Sequence, residues 1–132
     1  MSATPSDRHY TKSHEWVKAE GADLIVGITD HAQSELTDIV FVDLPKACKA
    51  VAAGDSVLAL ESVKTVSDVY APAAGTLVAV NDALKAHPEL INKDPYGAGW
   101  IYKLKPSGKF DPSGLWTAQA YDASVAAAPA SH

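Results

Sequence analysis

Between Gly54 and Asn81 one short pattern occurs twice, and that repetition constrains the fold more than any other feature of the chain. Gly54-Asp55-Ser56-Val57-Leu58-Ala59-Leu60 and Gly75-Thr76-Leu77-Val78-Ala79-Val80-Asn81 are each a glycine followed by a β-rich run. Between them Val66 and Val69-Tyr70 resume the β pattern before Ala71-Pro72-Ala73-Ala74-Gly75 breaks it. A weak internal repeat of this kind suits a barrel or flattened sandwich with quasi-twofold symmetry. The reversal after the first run, Glu61-Ser62-Val63-Lys64-Thr65, carries a lysine. A lysine where paired strands reverse points its amine into solvent, the geometry a modifying enzyme needs to form an amide on it. A solvated turn lysine fits the same spacing.

The rest of the chain is organised around that hairpin. Glu15–Ala19 and Leu24–Ile28 read as strands joined by the turn Glu20-Gly21-Ala22-Asp23. Thr29 or Asp30 caps a short helix through Ala32, Gln33 and Leu36, with Gln33 three residues after Asp30 as in a capping box. Asp38–Leu44 is a strand ended by Pro45, followed by a turn at Ala52–Asp55. Asn81–Lys85 opens a short helix stopped near His87-Pro88, and Trp100–Leu104 is a last strand. Asp111-Pro112 predicts a helix start, with Leu115, Trp116, Ala118 and Tyr121 in the helix. The expected layout is a polar leader over 1–9, a single domain over 10–122, and a frayed Ala/Ser/Pro tail over 123–132.

At 132 residues, 47% of them hydrophobic, the chain is long enough to bury one ordinary core without staples. The single cysteine, Cys48, excludes an intramolecular disulfide framework and fits a reducing compartment. A net charge of −5 argues against nucleic acid, and no apolar run approaches a membrane span. Acidity suits solubility and steering toward partners with basic surfaces.

No constellation of catalytic residues is visible: neither Gly-x-Ser-x-Gly, nor paired histidines at metal spacing, nor a phosphate-cradling glycine loop. The five histidines, His9, His14, His31, His87 and His132, are scattered. His9 and His14 stand five apart in a polar leader, a weak metal signal. Trp16, Trp100 and Trp116 read as core or edge aromatics. Chemistry therefore belongs to a cofactor and to partner enzymes, with this chain as position and tether.

Five ordered blocks carry a family resemblance. They are Ser13-His14-Glu15-Trp16-Val17; Val26-Gly27-Ile28-Thr29-Asp30-His31-Ala32-Gln33; Val40-Phe41-Val42-Asp43-Leu44-Pro45; Glu61-Ser62-Val63-Lys64 with Ser67-Asp68-Val69-Tyr70-Ala71-Pro72; and Asn92–Trp100. In this order, from about Tyr10 to Pro106, they resemble the glycine cleavage system H-protein family, and the fourth resembles that family's lipoylation site. The resemblance implies a mainly β barrel-sandwich hybrid, the flattened β-barrel of lipoyl and biotinyl carrier domains, with short helices and a C-terminal helix. It implies lipoic acid joined by an amide to Lys64, in a non-catalytic carrier.

The partners it implies are a pyridoxal-phosphate glycine decarboxylase (P protein), which passes an aminomethyl group to the lipoyl arm, and a tetrahydrofolate-dependent aminomethyltransferase (T protein), which takes it. Dihydrolipoamide dehydrogenase (L protein) reoxidises the arm, and lipoate-attaching enzymes install it. Aminomethyl on a thiol is labile, so a carrier is expected to fold the loaded arm against its own surface. By resemblance the residues that hold the amine are Ser13, Glu15 and Asp68. Solvated acids at strand ends describe Glu15 and Asp68 by composition alone. Glu61, three residues before Lys64, is placed to be read by a lipoate-attaching enzyme, and a surface acid fits there too. His31 sits at a helix start, where capping and packing explain it as well as function does.

Thr65 departs from the alanine or serine the family more often places after the lysine, and Ala47-Cys48-Lys49-Ala50 departs from a stretch commonly richer in glycine or acid. A 2-oxoacid dehydrogenase lipoyl domain commonly shows Asp-Lys-Ala at the turn, where this chain has Val63-Lys64-Thr65. A biotin carrier typically flanks its lysine with methionines, and here Met1 is the only methionine. A paralogue that relays lipoyl groups to other proteins would share the attachment site and stays open. The expected compartment is the bacterial cytoplasm, or the mitochondrial matrix for a processed organellar form.

Overall fold

The computed structural model describes residues 8–11, 14–44, 49–108 and 115–127, with side chains to Ala123 in the last segment. Along these residues the strands are β1 His9–Tyr10, β2 Glu15–Glu20, β3 Asp23–Ile28, β4 Ile39–Asp43, β5 Ala50–Val51, β6 Ser56–Ser62, β7 Val66–Tyr70, β8 Gly75–Val80 and β9 Tyr102–Pro106. The helices are α1 Asp30–Leu36, α2 Ala83–Ala86, α3 Leu90–Lys93 and α4 Ala118–Ala127. Two antiparallel sheets form, one in the order β1-β2-β3-β9-β8-β5 and one in the order β4-β6-β7. The two glycine-led runs become β6 and β8 and lie in different sheets, as the flattened sandwich requires.

One hydrophobic core joins the sheets. Leu24, Val26, Leu77, Tyr102 and Leu104 come from the larger sheet, and Val42, Leu58, Leu60 and Val69 from the smaller. Burying each of these aliphatic side chains contributes roughly 1.5–3 kcal/mol relative to exposure. Register shifts at Ile39/Phe41, Ser56/Leu58 and Leu77/Ala79 mark irregularities of the kind that bend and twist strands over a core. Gly21 takes φ 62 in the tight turn between the paired residues Glu20 and Asp23, a conformation that costs glycine little. Gly27 has a different reason. It pairs with Trp16 across β2 and β3, and a Cβ there would lie 2.6 Å from the indole.

A second, smaller core packs α4 on the start of the chain through Tyr10, Trp16, Ala118 and Tyr121. The Tyr10 and Tyr121 rings stack with centroids 5.0 Å apart. Trp16 is thus a core aromatic, with its Nε1–H donated to Pro95 O at 2.9 Å, while Trp100 and Trp116 pack on the edge of this cluster.

Several boundaries differ from the sequence reading. The polar leader already contains structure by Arg8, whose guanidinium lies 4.6 Å over Trp16 and donates to Tyr96 O, so the chain enters the sheet as β1. The short β5 and α3 carried no periodic signal, being two and four residues long. The last strand begins two residues late, at Tyr102. The C-terminal helix begins after Thr117, whose hydroxyl accepts from Ala120 N–H. Asp111-Pro112 lie outside the described residues, and Trp116 is extended, exchanging 2.8 Å backbone bonds with Tyr10. The helix also runs past Ala123 to Ala127, because its alanines are strong helix formers. Among the described residues no helix is long and apolar enough to cross a membrane.

Candidate functional site

The β6–β7 hairpin fixes Lys64 in position while leaving its side chain unengaged. Ser62 N–H donates to Thr65 O at 2.8 Å and closes the turn. The Ser62 hydroxyl accepts from Lys64 N–H at 3.2 Å and from Thr65 N–H at 3.1 Å, so one side chain satisfies two turn amides. Val63 N–H reaches Asp38 O at 3.0 Å and ties the tip to the approach of β4. Lys64 itself is exposed, and among the described residues its side chain enters no hydrogen bond or ion pair. A rigid backbone under a solvent-facing amine fits covalent attachment of a carboxylic acid.

Around that tip the surface is both apolar and acidic. Phe41, Glu61 and Val66 form one cross-strand row, all exposed, and Val40 and Val63 are more than half exposed beside it. The strands β4, β6 and β7 contain no lysine or arginine.

Beneath the hairpin lies a cleft of about 170 Å³ between the start of β2, the end of β3, helix α1 and the middle of β6 and β7. Its lining includes His14, Glu15, His31, Glu35, Leu60 and Asp68. Glu15 is 2% exposed. Its Oε1 accepts from the Thr11 hydroxyl at 2.6 Å and its Oε2 from Tyr70 N–H at 3.3 Å. A buried carboxylate held by donors from two elements is pre-organised to meet a cation. Asp68 borders the same cleft, and its Oδ1 accepts from the Ser56 hydroxyl at 2.9 Å. Ser13 lies outside the described residues, as does Cys48. Glu61 stands apart from the cleft, on the exposed row. The structure therefore sets Glu15 and Asp68 on one cleft, while Lys64 lies outside its lining, three residues before Ser67.

The contributions of His14, Glu35 and Tyr121 to this site escaped the sequence reading. His14 has φ 70, in the left-handed region where histidine is enriched among non-glycine residues but where the backbone is strained by about 1–3 kcal/mol. In a regular strand neighbouring side chains face opposite sides; the turn at His14 lets both His14 and Glu15 line one cleft. The His14 ring lies 4.8 Å from the His31 ring, and His31 Nε2 is 3.8 Å from Glu35 Oε1. The Tyr121 hydroxyl from α4 stands 2.7 Å from His14 Nδ1 and 2.8 Å from Thr29 Oγ1. Thr29 is the N-cap of α1, its hydroxyl accepting from Ala32 N–H, while Gln33 bonds Asp30 instead of completing the expected box. Burial pushes the Tyr121 and Tyr102 phenols well above their ordinary range, so both stay protonated, and Tyr102 donates to Tyr70 O.

The Asn92–Trp100 block, which starts in α3, braces the cleft's helical wall. Asn92 accepts from Ile39 N–H and donates to Gln33 Oε1 and to Thr37 O, and the Tyr96 hydroxyl accepts from Asp30 N–H. Thr37, with φ 66 and ψ −148, terminates α1 in a conformation that glycine usually supplies. The Asn92 bond to its carbonyl helps hold it. Among the described residues no histidine, cysteine, aspartate or glutamate cluster could hold a metal ion.

With this geometry in place, the comparisons with known proteins converge. A family model described as glycine cleavage H-protein matches residues 8–128. The chain belongs to the glycine cleavage H-protein family. A glycine cleavage system H protein of Thermus thermophilus is 53% identical over 117 residues, covering 89% of this chain and 91% of that protein. One from Acinetobacter baumannii is 50% identical over 121 residues, covering 92% and 98%. The crystal structure of a glycine cleavage system H protein from Mycobacterium marinum superposes with a TM-score of 0.83 at 44% identity, covering 92% of this chain and 98% of that one. Membership of the H-protein family agrees with a β sandwich that exposes a hairpin lysine and, among the described residues, buries Glu15 in the adjoining cleft.

Proposed function

We propose that this H-protein-family chain is the lipoyl carrier of a glycine cleavage system, with lipoate joined by an amide to Lys64. The observation that carries the reading is the pairing of a solvent-facing lysine on a braced turn with a cleft that begins three residues further along β7 and is lined by buried Glu15. When bound, lipoate would supply a redox-active pair of sulfurs able to take up and give back a one-carbon amine.

Everything else in the reading falls to the chain's own side chains. Lys64 tethers, raising the local concentration of the group at each partner's active site once docked. Glu15, kept in place by Thr11 and Tyr70, holds a protonated amine by a charge-assisted bond, and Asp68 adds negative charge at the cleft's edge. Ser13 belongs to this group by its place in the family block. The cleft's apolar side, Ile28, Leu36, Leu60 and Val69, keeps water from the held group. Glu61, with Phe41 and Val66 beside it, forms the surface that a lipoate-attaching enzyme reads. The chain is a substrate for others' chemistry: the glycine decarboxylase, the aminomethyltransferase and dihydrolipoamide dehydrogenase of the same system. That its relatives include bacterial proteins supports a cytoplasmic location.

The test is the intact mass of the lipoylated chain before and after incubation with glycine and the pyridoxal-phosphate decarboxylase. A glycine-dependent gain that is absent in Lys64→Ala is the expected result. Full lipoylation without that gain would instead identify a lipoyl-relay paralogue, and no lipoylation by an active ligase would exclude a carrier.

A further inference from the structure

The cleft has two walls that the sequence places far apart: the start of β2, with His14 and Glu15, and α1, capped by Thr29 and presenting His31, Ala32 and Glu35. A single hydroxyl reaches both. Tyr121 Oη stands 2.7 Å from His14 Nδ1 and 2.8 Å from Thr29 Oγ1, and its ring is fixed by stacking on Tyr10. The backbone repeats the link, since Thr29 N–H donates to His14 O at 3.0 Å. We propose that Tyr121 is a positioning residue for the carrier site: its hydroxyl latches the β2 wall to the α1 wall, and so makes the C-terminal helix a working part of the cleft. The inference rests on the reading of that cleft as the place where the amine cargo is held.

Three observations make the latch more than packing. Apolar stacking with Tyr10 would be served equally by phenylalanine, so the hydroxyl has a separate use. The residue it grips on one side is His14, which has a positive φ and lines the cleft beside Glu15. The residue it grips on the other is the N-cap of α1, so the helix's first turn is held at the same point. A phenol carries its hydrogen across the physiological range, and burial here disfavours the phenolate further.

Tyr121→Phe on the full chain tests this, with Ala118→Gly as a companion that loosens α4 while leaving the hydroxyl in place. In the unlipoylated chain, Tyr121→Phe is expected to move the His14 ring 15N signal. It should also speed amide exchange at Thr29 and Ala32 roughly five- to tenfold, the scale of one lost hydrogen bond. In the lipoylated chain it should shorten the lifetime of the glycine-derived cargo by a similar factor without changing the rate at which Lys64 is modified. Ala118→Gly should speed exchange within α4 while leaving the His14 signal and the cargo lifetime near wild type. Equal effects from both variants, or no change in exchange and lifetime with Tyr121→Phe, would overturn the latch. Should the wild-type chain acquire no glycine-dependent mass, the carrier reading fails, and the ring signal and exchange rates still judge whether Tyr121 ties the two walls.

Discussion

The Lys64 turn and one wall of the Glu15 cleft belong to the same two strands, β6 and β7, yet the two regions treat charge in opposite ways. At the turn, hydrogen bonding is spent on the backbone: Ser62 serves two amides, Val63 reaches Asp38, and the lysine side chain is left to solvent. In the cleft it is concentrated on side chains, with Thr11 and the Tyr70 amide on Glu15, and Tyr121 on His14 and Thr29. An attachment point must be readable by an enzyme and free to swing. A holding point must be assembled before its cargo arrives, since reorganisation after binding would subtract from the interaction. Under the proposed roles the hairpin serves both needs, because its tip faces water and its middle forms one wall of the cleft.

The largest effect that could break this contrast comes from Lys64→Arg. It keeps the positive charge and the exposed turn but cannot form the amide, so lipoylation followed by intact mass should fall to nothing. Stability should stay within about 0.5 kcal/mol of wild type, as for other exposed positions. A modified Lys64→Arg chain would show that another lysine is the attachment site.

Glu15→Gln comes next. It preserves shape but presents an amide where Thr11 and Tyr70 N–H both donate, and it removes the charge opposite the cargo amine. Lipoylation should proceed normally, while the lifetime of the glycine-derived cargo falls roughly 10- to 100-fold, the scale of a charge-assisted hydrogen bond. An unchanged lifetime would remove Glu15 from the holding site and leave the cleft without its main charge.

The same contrast explains what could be read from residues alone. The exposed turn carrying Lys64 was legible because turn chemistry is local: a β-rich run, a reversal and another run occupy consecutive positions. The sandwich was legible for a similar reason, since the two glycine-led runs that become β6 and β8 are close together in the chain. Tyr121 was not, because its meaning depends on being carried 107 positions back to His14, and a tyrosine in an alanine-rich helix reads as simple packing. His14 was inside a recognised block, yet its left-handed φ has no one-residue signature. The start of α4 was misplaced because Asp111-Pro112 offers a good cap by local rules, whereas Trp116 pairs with Tyr10 as extended chain and α4 begins only at Ala118.

Gly27→Ala sharpens the comparison from the side of the scaffold. The new methyl would meet the Trp16 indole at 2.6 Å, and Trp16 is buried under α4 with its N–H committed to Pro95. Overpacking of this kind costs typically 1–3 kcal/mol, seen as a drop of several degrees in melting temperature. Modification of Lys64, on the far side of the main core, should keep at least half its wild-type rate. A lipoylation defect as large as the stability loss would mean that turn and core are coupled more tightly than their separate hydrogen bonds indicate.

Glu61→Gln is the smallest effect and the one most specific to the turn's role as a recognition surface. Glu61 sits between Phe41 and Val66 in an exposed row, and the three strands of that sheet contribute no cation. A rim charge of this kind acts mainly on encounter rate, through long-range attraction to a basic partner, and its effect fades as salt rises. Lipoylation by a ligase should therefore slow by roughly two- to fivefold at low ionic strength and approach wild type near 0.5 M salt, with cargo lifetime untouched. A slowing that persists at high salt would instead mark Glu61 as a direct hydrogen-bond contact to the ligase. Equal rates at all salt concentrations would leave the apolar pair, Phe41 and Val66, as the part of this surface that is read.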